Sequence, residues 1–399
     1  MEKPLHETTL WQDLRSLSSE YWILFWGTLI SRFGYFVMPF MTFYLRHEDE
    51  IGRGDYPEWK IGLVLSAYGA GSLVAGLLGG YLSDRFGRKP TMLFSCFGGA
   101  ALLLVLSQAQ GLLQLIPCIF TMALITSLYS PAAGALIADL VPPHLRARAY
   151  ACQRLAINVG FGAGMACAGF MAKHSFGLLF IIDACCTCIL GFVVLWGLKP
   201  RTIPATLNNS WAHALKHMRG NKPFMLAAAS VFCIAIVFNQ VGGSYSLQAT
   251  ERAQLPASFY GYMLALNGIL IGLFELPLTN VTRRYHPTYV MAVGYAIAGI
   301  GLGLNAIDAT VTILLISMLV FTFGEMLALP IGNSYLAALA PDDMRGRYQG
   351  LIATTWSLAG MLGPSIGLAI YQFSHLLLWG LVLLLGCLAA VFMLLTDRH

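Results

Sequence analysis

Apolar residues run through this chain in blocks of about twenty, separated by short polar stretches. A helix needs about 20 residues to cross the hydrocarbon core of a bilayer, whereas strands of a membrane barrel give alternating segments of about ten. The pattern predicts twelve membrane-spanning helices, at roughly 21–45, 61–82, 91–107, 112–138, 149–171, 176–198, 224–248, 259–281, 288–306, 311–338, 348–372 and 375–395. The expected fold is therefore an all-α membrane protein.

The blocks repeat. Pro131 and Pro330, Pro142 and Pro341, Arg146 and Arg345, Arg148 and Arg347, and Gly164 and Gly363 share one offset, half the length of the 399-residue chain. Gly62, Leu65 and Gly69 answer Gly261, Leu264 and Gly268 at the same spacing. A duplicated half in a spanning chain predicts two pseudo-symmetric six-helix bundles, with a solute site between them near the bilayer midplane. The expected organisation is an N-terminal bundle over 1–198, a connecting segment over 199–222 and a C-terminal bundle over 223–399. Five basic residues and Trp211 in that connection are compatible with a helix lying at the membrane surface or with a solvated linker.

Composition agrees: 57% of residues are hydrophobic and 11% charged, against about 25% charged in soluble domains. The net charge of +5 comes from membrane orientation and implies no nucleic-acid partner. Seventeen Lys and Arg fall on the side shared by the termini and five on the other. Arg32 and Arg154 lie within spans. This bias predicts both termini in the cytoplasm. All nine cysteines sit in apolar blocks, where small buried hydrophobes are the expected role. No metal, nucleotide or nucleophile motif stands out, so neither an enzyme nor a cofactor is expected.

The connection after span 2 reads Gly80-Tyr-Leu-Ser-Asp84-Arg85-Phe-Gly87-Arg88-Lys89-Pro90. It resembles the G-x-L-x-D-R-x-G-R-[KR] signature of the major facilitator superfamily. Together with Pro131 to Arg148 and Gly324 to Arg347, the whole chain is similar to the bacterial twelve-helix drug/proton antiporter group. The antiporter-type Gly-Pro pattern falls in span 11, at Gly360, Gly363, Pro364 and Gly367, rather than in span 5. The resemblance implies a proton-coupled exporter of amphipathic molecules in the bacterial inner membrane, working as a monomer by alternating access. Its partners would be a small-molecule substrate, protons and the lipid bilayer. An importer of sugars, peptides or siderophore-like solutes, and a non-transporting sensor, remain as alternatives. The gating set implied is Gly80, Asp84, Arg85, Gly87, Arg88, Lys89, Arg146 and Arg148, with Asp84 latching toward span 11. Arg154 joins this set if it reaches water or Asp84.

Charges within spans are costly and so mark functional candidates. Arg32 and Glu325 fall near mid-span in helices that the resemblance places at the cavity. Glu325, Glu275 and Asp183 are the candidate proton-coupling acids, each with a structural reading beside it. For Glu275 that reading is pairing with Arg283 or Arg284. Asn239 and Gln240 align approximately with Arg32 and Phe33, and are candidate polar contacts to substrate. Tyr35, Phe36, Tyr245 and Trp356 are candidate ring contacts, with ordinary helix packing as the alternative.

Overall fold

The computed structural model describes residues 15–46, 56–109, 111–142, 145–171, 175–199, 211–282, 284–339 and 345–398. Twelve helices among them are long and apolar enough to cross a membrane. In chain order, spans 1 to 12 are Ser19–Arg46, Glu58–Gly79, Arg88–Gln108, Leu112–Ile137, Cys152–Met171, Phe176–Gly197, Lys222–Arg252, Ala257–Thr282, Pro287–Ala306, Val311–Gly332, Tyr348–Phe373 and His375–Leu395. Most ends fall within a few residues of expectation. Span 7 runs further, through a π-helical turn at Gln248–Arg252. A separate helix, Trp211–Gly220, lies in the connection between the halves. Large apolar side chains such as Trp26, Phe94, Leu104, Leu273 and Phe274 remain exposed on the outer surface, as lipid contact requires.

The packing has internal symmetry. Span 1 packs on spans 5 and 6, span 2 on span 4, and span 3 on spans 4 and 6. Span 7 packs on spans 11 and 12, span 8 on span 10, and span 9 on spans 10 and 12. Advancing each first-half number by six reproduces the second half. The bundles meet where span 2 lies on span 11 and span 5 on span 8, and the same shift exchanges these two junctions.

The repeated glycines build these contacts. A Cβ on Gly69 would stand 2.3 Å from the backbone of Gly360, and one on Gly268 would stand 2.8 Å from Cα of Gly162. Gly62 meets Ser365 and Gly261 meets Gly169 in the same way. Within the bundles, Gly164 sits against the Phe33 carbonyl and its repeat mate Gly363 against Asn239. Small residues let helix backbones approach in lipid, where association relies on close packing.

Span 1 is two helices, Ser19–Phe33 and Val37–Arg46, and span 7 breaks between Lys222–Asn239 and Ser244–Leu247. The breaks are equivalent in the repeat. Gly34 ends the first piece of span 1, and Pro39 sits in the first turn of the second, where its missing N–H costs nothing. Gly242 and Gly243 occupy the break in span 7. The prolines of spans 4 and 10 are not used alike. Pro131 follows an interruption at Leu128, whereas Pro330 lies inside the continuous helix Val311–Ala338.

Candidate functional site

The two helix breaks face each other across a cavity of about 460 Å³ between the bundles. Tyr35 and Met38 flank the break of span 1 and line one wall, while Asn239, Val241 and Gly242 from span 7 line the other. Spans 2 and 11 add Tyr68, Ser72, Trp356 and Ser357. No Asp, Glu, Lys or Arg lines it among the described residues. Of the residues proposed from sequence as substrate contacts, Tyr35, Asn239 and Trp356 line this space. Tyr68 and Phe238 were not singled out, although Tyr68 directly precedes the repeated Gly69.

The five other candidates are placed elsewhere. Phe36 is fully buried and packs edge-on against Phe33. Gln240 donates through Nε2 to the Ile236 and Gly363 carbonyls, and its Oε1 accepts from Ser244. Its amide is consumed in satisfying the polar groups of the broken helix, which lipid cannot do. Buried Tyr245 donates its hydroxyl to the Leu314 carbonyl at 2.9 Å. Glu325 accepts from Asn267 Nδ2 at 3.0 Å, between spans 8 and 10 of its own bundle. Arg32 lies behind the cavity wall, its guanidinium 5.6 Å from the centroid of the Tyr35 ring.

Asp183 serves the break in span 1. Its Oδ2 accepts the backbone N–H groups of Phe36 and Val37, both at 3.2 Å. It thus caps the second piece of span 1 from span 6. Asn at this position retains an acceptor and Ala does not. Asp183→Asn is expected to keep the thermal midpoint within a few degrees, whereas Asp183→Ala loses about 1–3 kcal/mol for the orphaned donors. Thermal unfolding of the two variants in detergent checks this. If Asn is also as damaging as Ala, the cap is not what the carboxylate supplies.

Glu275 and Arg154 form an ion pair that sequence reading missed. Arg154 Nη2 lies 2.7 Å from Glu275 Oε2 and joins span 5 to span 8 across the two bundles. The expectations for these residues had looked to Arg283, Arg284 or Asp84, each nearby in sequence or motif. Helix register across the pseudo-twofold decides the actual partner.

The basic residues of the loop after span 2 tie helix ends together within the first bundle. Gly87 adopts φ +96°, a turn that favours glycine. Arg88 reaches Ser83 at 3.0 Å and Asp139 of span 4's helix at 3.6 Å. Lys89 Nζ donates to the Leu195 and Leu198 carbonyls at 2.7 Å, where the end of span 6 presents its negative dipole. Arg146 donates to the Val141 carbonyl. Arg85 extends over the ring of its exposed neighbour Phe86. Gly80 lies within the helix Glu58–Phe86; the side chains of Asp84 and Arg148 are not among those described, so the latch expected of Asp84 stays a proposal.

Further contacts between bundles gather at the ends of the spans opposite the termini. Arg46 of span 1 pairs with Glu251 of span 7, with Glu58 of span 2 at 3.4 Å, and donates to the Tyr56 carbonyl. Thr42 donates to the Gly242 carbonyl at 3.0 Å, and Phe40 and Phe43 pack on Tyr260. Ser66 and Ser365 hydroxyls meet at 2.7 Å. The cavity lies beneath this layer.

Two six-helix bundles related by a pseudo-twofold, with a cavity at paired helix breaks, define the class of secondary transporters. The chain belongs to the Major Facilitator Superfamily, whose model matches residues 22–251 and again 239–399. It is a transporter of that type and a multi-pass membrane protein. A tetracycline resistance protein, class C, of Escherichia coli is 28% identical, covering 89% of this chain and 91% of the relative. A Na(+), Li(+), K(+)/H(+) antiporter of Planococcus maritimus is 24% identical, covering 82% and 84%. Among solved structures, a peptide transporter of the POT family in complex with sulfate superposes with a TM-score of 0.78 at 16% identity, covering 98% of each chain. At that identity the likeness concerns the fold.

Proposed function

We propose that this chain is a proton-coupled exporter of amphipathic small molecules. The observation that carries this reading is the cavity lining, which is aromatic and aliphatic with a few hydroxyl and amide groups and no charged side chain among the described residues. A peptide's charged termini would enter such a space without ionic partners, at a high desolvation cost. An uncharged or weakly polar ring system enters it by exchanging one apolar surface for another. The sequence relatives named as a tetracycline resistance protein and as a cation/H(+) antiporter support export and proton coupling. The POT likeness, in fold alone, does not favour peptide uptake.

In this reading the termini are cytoplasmic and the layer at Arg46, Thr42 and Tyr260 closes the outside. The structure then corresponds to an inward-facing state, with the cavity reached from the cytoplasm. Glu325 and Glu275 are the proposed coupling acids. Glu275 has the stronger geometric claim, because its partner Arg154 lies in the opposite bundle and the pair must respond to relative movement. A proton arriving on Glu275 removes one charge of that pair and shifts the balance of states, as any state-selective ligand must.

Inverted membrane vesicles with an acidified lumen test this proposal. A fluorescent uncharged amphipathic probe such as a hydroxyflavone is expected to accumulate inside them, and dissipation of the proton gradient is expected to stop the accumulation. Accumulation only in right-side-out vesicles, driven by acid outside, would establish uptake instead.

A further inference from the structure

The two walls of the cavity carry different hydrogen-bonding chemistry, and this difference specifies a ligand more narrowly than its amphipathic character. On the first-bundle wall, the hydroxyls of Tyr35 and Tyr68 lie 3.3 Å apart. When one phenol donates to the other, the acceptor phenol keeps a proton of its own to give. The pair therefore offers an O–H donor whichever way it is arranged. Arg32, over the Tyr35 ring at 5.6 Å, draws charge from that ring and makes its hydroxyl a better donor.

The opposite wall offers the complement. Asn239 Nδ2 is committed to the Ala235 carbonyl at 2.7 Å. Reversing the amide would set oxygen against oxygen, so its orientation is determined. What Asn239 has left is Oδ1, an acceptor, and the second hydrogen of Nδ2. Beside it, Phe238 and Trp356 stand edge to face, 5.6 Å between centroids at 87°, and form an apolar corner of one ring face and one ring edge. The cavity volume of about 460 Å³ lies within the range of sites for drug-sized ligands, about 300–1,000 Å³.

We propose that this cavity takes uncharged planar aromatic molecules bearing a carbonyl and a phenolic hydroxyl. The ring packs into the corner between Phe238 and Trp356, the carbonyl accepts from the Tyr35–Tyr68 pair, and the hydroxyl donates to Asn239 Oδ1. This deepens the exporter reading and rests on it only for the direction of movement. Discrimination follows from the committed polar groups. A ligand lacking either group leaves a desolvated donor or acceptor unpaired, which is where hydrogen-bonding sites gain their selectivity.

Isothermal titration of the purified full-length protein at pH 6 with four probes tests this assignment: chrysin, its unhydroxylated parent flavone, ethidium and dialanine. Chrysin is expected to bind at least tenfold more tightly than each of the others. Asn239→Leu is expected to weaken chrysin about tenfold and leave flavone unchanged, whereas Tyr35→Phe combined with Tyr68→Phe is expected to weaken both about tenfold, because flavone keeps the carbonyl; thermal midpoints are expected to match the parent protein. Equal affinity for chrysin and flavone, tighter binding of ethidium or dialanine, or chrysin binding indifferent to both variants would overturn the proposal. Transport of ethidium without chrysin binding would overturn this substrate class and keep the exporter reading. Chrysin binding with the expected variant pattern but no proton-driven movement would support the class while removing the exporter reading.

Discussion

Gly69→Leu is expected to abolish transport while leaving the protein folded. Any Cβ at this position would stand 2.3 Å from the Gly360 carbonyl carbon and the Met361 nitrogen. Both are backbone atoms in span 11 and cannot rotate away. The contact lies between bundles, at the junction that must part when the opposite side of the cavity opens. The added side chain therefore penalises the state described above without disturbing packing inside either bundle. Gly301→Leu is the matched control. Its Cβ would meet the Phe321 nitrogen at 2.4 Å, a contact between spans 9 and 10 of one bundle that persists through rocking. That variant is expected to lose expression and thermal stability. Thr42 is fully buried and bonded to Gly242 in the closed layer. A Thr42→Cys reporter is expected to react with an impermeant thiol reagent at least tenfold faster in the Gly69→Leu background. Normal transport by Gly69→Leu, or unchanged labelling in a folded protein, would show that the glycine contact does not discriminate between states.

A charge exchange between Arg154 and Glu275 carries the second large expected effect. Glu275→Arg alone places two guanidinium groups together at the junction of spans 5 and 8. Breaking one partner of a buried pair costs about 3–5 kcal/mol, with the lower end fitting here because Arg154 is 28% exposed. A cost of that size in one state alone is about a hundredfold in its population. Glu275→Arg is accordingly expected to reduce proton-driven transport by more than tenfold, and so is Arg154→Glu. The double exchange restores an opposite-charge pair across the same two helices and is expected to recover most of the transport. Initial rates in inverted vesicles measure this. A double exchange no better than either single change would mean the residues act separately, and the pair would lose its proposed place in coupling.

The helix count, the span limits and the bundle duplication were legible before any coordinates, because bilayer thickness imposes one length on every crossing helix. The repeated glycines were legible as well. Their partners were not: nothing local in Gly69 points to Gly360, which lies in the other half of the chain. The candidate site was partly legible. Tyr35, Asn239 and Trp356 fall where the cavity is, but Gln240 and Tyr245, of similar chemistry and nearly adjacent in sequence, are spent on backbone carbonyls. Which face of a broken helix looks inward depends on where the break falls, and hydropathy carries no mark of it. The same limit applies to Asp183. Its sequence position left both a titrating acid and a structural role open, and the atom it meets, the start of a helix 146 positions earlier in the chain, could not be read from it.

The linear order of residues by itself determined a twelve-span, internally duplicated membrane transporter with an asymmetric distribution of basic loops. Those properties depend on lengths, periods and sums, which survive without knowledge of partners. Only the tertiary structure decided that Arg154 belongs to Glu275, that Tyr35 meets Tyr68, and that the two helix breaks face one cavity. Each depends on the rotation of one helix about its axis relative to another. A turn of 100° between successive residues makes neighbours in sequence face different surroundings, and packing selects among those faces.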